Sequence, residues 1–181
     1  MIDLSSIDKT RAALLVMHYQ ADVFSALAGV LPNDMKDRAN MFISDWRKTG
    51  RPVIFANMAM GANYEAVNPH NLLTVNVSNA GLFREAAPRT VLESQASDKH
   101  YFSARGNVFH GNDLDKDLRA QGIDTLVMAG IASSGVLFST VAWASDADYR
   151  MYLVRDCCFD PDTAAHDALF RTSFAARALI V

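Results

Sequence analysis

The feature that most constrains this chain is a set of short runs that are apolar almost throughout. They are Ala12–Met17, Pro52–Asn57, Thr125–Ala129, Met151–Val154 and Ala178–Val181, with a weaker one at His100–Phe102. A strand with one wet face alternates apolar and polar residues, whereas a strand covered on both faces does not. These runs therefore predict strands held between helical layers. The segments between them carry helical patterns. Met35, Ala39, Phe42, Ile43 and Trp46 fall on one helical face, and Gly50 follows as a stop. Asn112 precedes Asp113, Leu114 and Leu118, and Gly122 closes that helix, whose early aspartates suit the positive end of a helix dipole. Val136 to Ala147 reads as a third helix. Asp160 and Pro161 read as N-cap and first helical residue of a fourth, running to Phe170. The alternation predicts an α/β, three-layer αβα architecture. Its centre is a doubly wound, mostly parallel, Rossmann-like sheet of about six strands.

Composition narrows the function classes. A chain of 181 residues, half of them apolar, suits a single domain over 1–181. The net charge is −3 with no basic block, which argues against nucleic acid as a primary partner. No run of apolar residues is long enough to span a membrane. Met1-Ile2-Asp3-Leu4-Ser5 lacks the basic and apolar regions of a secretory leader, so a cytoplasmic location is expected. Cys157 and Cys158 are adjacent, a spacing that strains a disulfide, and read as reduced thiols. His70, His100, His110 and His166 show no metal-ligand spacing with a carboxylate, so no metal or cofactor is expected. Residues 58–97 are less regular, with Gly61, Asn63, Pro69, Asn76 and Gly81. Long excursions of this kind form binding rims, cover a pocket or cross to a neighbour.

In a doubly wound sheet the ligand sits at the carboxyl ends of the strands, where the strand order reverses. Three segments then matter: His18-Tyr19-Gln20, Ser103-Ala104-Arg105, and Ile131 to Val136. The last lies in Gly130-Ile131-Ala132-Ser133-Ser134-Gly135-Val136, where a strand-to-helix elbow would present a nucleophile. Valine cannot be one.

Taken in order, these segments resemble the isochorismatase-like (cysteine hydrolase) superfamily. Leu14-Leu15-Val16-Met17-His18-Tyr19-Gln20 resembles its opening L-L-V-I-D-x-Q, and Gly130-Ile131-Ala132-Ser133-Ser134 resembles its G-[IV]-A-T-S turn. Leu114 to Val127 resembles its L-x-x-x-L-R-x-x-G-I-D-T-L-V helix and strand. Asp156-Cys157-Cys158 with Asp160, Asp162 and His166 resembles a D-x-C-x-D-x-D-x-x-x-H ending. The resemblance implies the superfamily fold, a small-molecule substrate and assembly into a homo-oligomer, for which Trp46, Trp143 and Phe138 serve equally well as contacts or as core.

Thiol-using members carry an Asp–Lys–Cys triad. Here the Asp position matches His18 and the Cys position matches Val136. The Lys position matches Ser103 by ungapped counting from Gly130. Lys99 fits only with about four residues inserted, roughly 13 Å along a strand. All three positions then depart from the family pattern.

His18 is the candidate acid or base, titrating near neutrality, or else a packed strand-end histidine. Ala132, Ser133, Ser134 and Gly135 offer helix N-terminal N–H groups to a carboxylate or oxyanion, or simply cap the helix. In the family the peptide before the Ala132 position is often cis, which aims these donors. Gln20 belongs to the family opening and is grouped with the substrate-binding residues. Arg105 is placed to clamp a substrate carboxylate, with a surface arginine as the plain alternative. Asp22 replaces the lost carboxylate only if its loop turns inward. Val136 lines the pocket. The favoured reading is a hydrolase of a small anionic or cyclic metabolite working by non-thiol acid–base chemistry. The alternatives are a triad-deficient protein that binds a small molecule or assembles without catalysis, and a hydrolase using Ser103 as nucleophile with His18 as base.

Overall fold

The computed structural model describes residues 9–181. The residues behind the leader reading, Met1 to Ser5, lie outside the described ones. The strands are β1 (Ala12–Met17), β2 (Val53–Met58), β3 (Lys99–Ser103), β4 (Thr125–Ile131), β5 (Arg150–Phe159) and β6 (Leu179–Ile180). They form one six-stranded sheet in the order β3-β2-β1-β4-β5-β6, with every pair parallel. The helices are α1 (Ala21–Ala26), α2 (Met35–Arg47), α3 (Leu72–Asn79), α4 (Leu114–Ala120), α5 (Phe138–Asp146) and α6 (Thr163–Leu169). The order reverses between β1 and β4, so the crevice of a doubly wound sheet falls outside their carboxyl ends.

The two-sided burial expected from the apolar runs is realised residue by residue. Ala12, Leu14 and Val16 of β1 pack with Met35, Ala39, Phe42, Ile43 and Trp46 of α2 on one face. Ala13, Leu15 and Met17 pack with Leu114, Leu118, Val141 and Ala144 of α4 and α5 on the other. Successive side chains of a strand point to opposite faces, so one unbroken run feeds two cores. Each fully buried leucine or valine of this kind contributes roughly 1.5–3 kcal/mol. Trp46 is wholly buried and its Nε1 donates to the Pro52 carbonyl at 3.1 Å. Trp143 stacks on Phe109 with ring centroids 4.3 Å apart.

Four local readings change. Asp160 does not cap α6; Asp162 does, accepting from the Ala165 N–H at 2.9 Å. Asp160 is only 3% exposed, and its carboxylate is taken by the N–H groups of Ser134 and Asp162. The third helix opens earlier than Val136, through a π-helical turn at Ser133–Leu137. The fifth strand runs on to Phe159, past an irregularity opposite Met128–Gly130. The excursion after β2 is not wholly irregular, because α3 lies in it, started by the Asn71 side chain accepting from Thr74 N–H at 3.2 Å.

Candidate functional site

His18 follows β1 at φ 58°, a left-handed backbone position in which histidine is several-fold over-represented among non-glycine residues. That turn sends the chain out of the sheet while the His18 N–H still donates to the Ala56 carbonyl at 2.9 Å. The imidazole is 6% exposed, and its ring centroid lies 6.3 Å from that of Phe83. Its Nε2 is buried with no hydrogen-bond partner. Burial pushes the His18 pKa down to about 3, because the charged form loses its water. The expectation of a group titrating near neutrality is therefore overturned. Between pH 5 and 8 His18 is a neutral ring and a weak base.

The elbow after β4 has the cis Ile131–Ala132 peptide that the resemblance implies. Its N–H groups are largely committed. Ser134 N–H donates to Asp160 Oδ2 at 2.7 Å, and Gly135 and Leu137 N–H donate to the Ala132 carbonyl at 3.2 and 3.3 Å. Ser133 Oγ pairs with His166 Nδ1 at 2.9 Å and is fully buried. Burial, and then the neighbouring Arg155, hold His166 below its ordinary pKa. The expected anion holder thus has its own carboxylate, Asp160, already seated on Ser134.

The remaining expected residues are spoken for within the fold. Gln20 is fully buried, with Nε2 donating to Met58 O at 3.0 Å and Oε1 accepting from Met58 N–H at 2.8 Å. That pair closes the β1 and β2 ends together, with the Gln20 side chain wholly buried. Ser103 Oγ donates to the Asn107 carbonyl at 3.0 Å and accepts from Arg105 N–H at 3.1 Å. Arg105 Nη1 donates to the carbonyls of Ala66 and Ala104, at 3.0 and 2.8 Å. Asp22 accepts from the Phe83 N–H at 3.1 Å and pins the excursion to α1. Lys99 opens β3 opposite Ile54, four strand positions before Ser103, and is exposed at the other end of the sheet. Cys157 and Cys158 are buried, and burial pushes the Cys157 thiol up to about 12 and the Cys158 thiol further.

A cavity of about 210 Å³ lies at the switch point. Of the expected site residues, His18, Ala132, Gly135 and Val136 line it; Gln20, Ser103, Arg105, Ser133 and Ser134 do not. The other walls are apolar: Met58 and Ile131 from the strand ends, Val23, Ala26 and Leu27 from α1, and Leu73, Val77 and Phe83 from the excursion. Tyr19 does not fill it. Its hydroxyl donates to the Cys157 carbonyl at 2.8 Å within the core that holds α2. Among the described residues the wall offers no thiol, hydroxyl, carboxylate or cationic side chain, and Val136 is 2% exposed. The α1 wall escaped the sequence reading; the excursion was expected to rim or cover a pocket, but not through these residues. The available signal was the i,i+4 pair Leu73 and Val77 behind the capping Asn71. Among the described residues no group of histidines, cysteines and carboxylates is placed to hold a metal ion. No described helix is long and apolar enough to cross a membrane.

The isochorismatase domain family matches residues 12–180. An uncharacterized isochorismatase family protein of Bacillus subtilis, YwoC, is 25% identical over 96% of this chain and 91% of its own. A cysteine hydrolase from Pseudomonas syringae superposes with a TM-score of 0.81 at 19% identity, covering 96% of this chain and 89% of that one. A pyrazinamidase from Pyrococcus horikoshii does so with a TM-score of 0.77 at 18% identity, covering 94% and 98%.

Proposed function

From the premise that this chain belongs to the isochorismatase family, we propose that it uses the cavity at the switch point to hold a small, uncharged, largely apolar molecule, and that it forms no covalent intermediate with it. The observation carrying this reading is the wall itself, where Val136 stands at the elbow and a neutral His18 is the polar side chain. Thiol chemistry needs a thiolate with a base beside it. Among the described residues no thiol is within the wall, and both cysteines are buried elsewhere with raised pKa values. A carboxylate ligand would enter a site with no cation to meet it, which carries a large desolvation cost. The favoured substrate class therefore moves from anionic or cyclic to cyclic and neutral. An apolar cavity of about 150 Å³ takes a benzene-sized molecule, so about 210 Å³ suits one ring with a short substituent.

The test pairs binding with chemistry. Titration with neutral single-ring compounds should saturate at one site, with no turnover of ring amides or esters and no mass increase on the protein. An acyl adduct on any residue after incubation with an acylating probe would defeat the non-covalent reading. A second reading, hydrolysis by a bound water with His18 as weak base, is favoured by the unpartnered Nε2. It expects turnover that disappears in His18→Asn while ring binding survives. Loss of neither, or of both together, counts against it.

A further inference from the structure

Residues 63–82 supply one wall of the cavity; Tyr64, Ala66, Val67, Val77 and Leu82 pack against the core, but their hydrogen-bonded attachment to the rest of the protein is thin. Leu73 and Val77 of α3 supply part of the wall. Leu73 is nevertheless 48% exposed and Leu72 71% exposed, while Thr74 is wholly buried and Val77 packs against the core, so α3 forms an outer lip held on one side. The hydrogen bonds of residues 63–82 run within the segment or to the adjacent turn at Gly61, with one exception among the described residues. The exception is Arg105, whose Nη1 reaches the Ala66 carbonyl at 3.0 Å. Glycines in left-handed backbone, Gly61 at φ 83° and Gly81 at φ 72°, stand at the two ends. Such positions absorb the dihedral changes of a hinge with little steric resistance. Beyond Gly81 the chain is tied down again, by Phe83 N–H to Asp22 and by Met60 N–H to the Phe83 carbonyl at 2.8 Å. The segment is therefore anchored at both ends and loose between them. The Tyr64 hydroxyl is buried within it with no partner, a cost of the closed form that opening would relieve.

We propose that residues 63–82 are a lid that opens about Gly61 and Gly81 to admit the ligand, and that Arg105 is its latch through the Ala66 carbonyl. This rests on the reading of the cavity as a binding site. It gives Arg105 a positioning role in place of the substrate clamp expected from sequence. It also accounts for an apolar hollow, partly open to solvent, whose outer wall is half-exposed leucine. Ligand entry is then limited by lid opening, and Leu73 and Val77 supply contacts made only after closure.

Two measurements separate the lid from the binding reading. The first is native-state hydrogen exchange. The amides of Thr74 to Gly81 should exchange through a local opening, well below the protection of β1 and β4, and Arg105→Gln should speed them at least several-fold while β1 and β4 stay unchanged. If those amides exchange only with global unfolding, or Arg105→Gln leaves them untouched, the lid is overturned. The second uses fluorobenzene followed by fluorine NMR. A Cβ at Gly106 would stand 3.6 Å from Leu73 Cδ2, so thiols placed by Leu73→Cys and Gly106→Cys lie within reach of a short reducible bis-methanethiosulfonate cross-linker. Cross-linking should slow fluorobenzene exchange at least tenfold, and reduction should restore it. Binding with exchange indifferent to cross-linking overturns the lid alone. Gly135→Val directs its side chain into space where a Cβ meets nothing within 4 Å, and it should abolish fluorobenzene binding. If the parent protein binds no fluorobenzene, or Gly135→Val binds it as well as the parent, the cavity reading falls and the gate falls with it.

Discussion

At the residue scale, the decisive change is in the environment of His18. A histidine after β1 reads as an acid–base group until its surroundings are known. Those surroundings are Phe83, Val136, Met58 and the sheet ends, and they remove the water that a charged imidazole needs. Because burial lowers the folded-state value to about 3 from the ordinary 6.5, the unfolded chain takes up a proton first as pH falls. His18 then contributes stability fully above about pH 6.5 and loses it progressively towards pH 3. His18→Asn keeps a residue that tolerates the left-handed backbone and does not titrate. Between pH 7 and 4 the urea midpoint of the parent should fall more than that of His18→Asn. A constant gap across that range would contradict the assignment. In the same titration by NMR, the His18 ring signals should not move between pH 5 and 8. Asp160 is the second residue on which the site turns. It is buried and accepts from both Ser134 and Asp162. Removing a charged acceptor from two buried donors costs more than an average hydrogen bond. Asp160→Ala should lose about 2–4 kcal/mol in chemical denaturation, and Asp160→Asn, which retains an acceptor oxygen, distinctly less.

At the scale of elements, the elbow works because β4 passes very close to its neighbours. A Cβ at Gly130 would lie 2.8 Å from Leu137 Cδ1 and 3.2 Å from Met17 Cβ. The glycine lets the π-helical turn at Ser133–Leu137 fold back over the sheet, which brings Val136 to the cavity wall. Gly130→Ala should destabilise the protein by about 1–3 kcal/mol through overpacking. It should also displace Leu137 and weaken ring binding, as read by denaturation and by titration of the same variant. An unchanged denaturation midpoint would mean that Leu137 repacks freely. The excursion shows the opposite case. Its α3 has good local signals, a capping Asn71 and an i,i+4 pair, but only one side of it is buried. A short helix gains most of its stability from packing, and α3 buries Thr74 but leaves Leu72 and Leu73 exposed, so it is held less firmly than α2 with its five buried residues.

At the scale of the whole molecule, two hydrophobic cores share one sheet, and the cysteines lie in them. Cys157 belongs with β1 and α2, and Cys158 with α4 and α5. Adjacent residues of a strand reach opposite faces, so neither thiol opens onto the cavity. Thiol alkylation should therefore be negligible in the native protein at pH 8 and complete in urea. Its rate should follow unfolding, with no fast phase. A single rapidly modified cysteine under native conditions would show that one of them reaches solvent at a site.

Much of this protein was legible in the amino-acid sequence. Unbroken apolar runs required a sheet covered on both faces, and the helical patterns between them required crossovers, because local periodicity records burial directly. The place of the crevice, and the absence of a nucleophile at Val136, followed from order and residue type. What the sequence could not determine is which polar side chains remain free. Gln20, Ser103, Arg105 and Ser133 all have the chemistry of a binding site, yet each spends it on a partner distant in the chain or on its own turn. The charge state of His18 was equally hidden, because it depends on Phe83 and on the strand ends brought around it. Hydrogen-bond satisfaction and desolvation are properties of neighbours in space, and only the tertiary structure decides who those neighbours are.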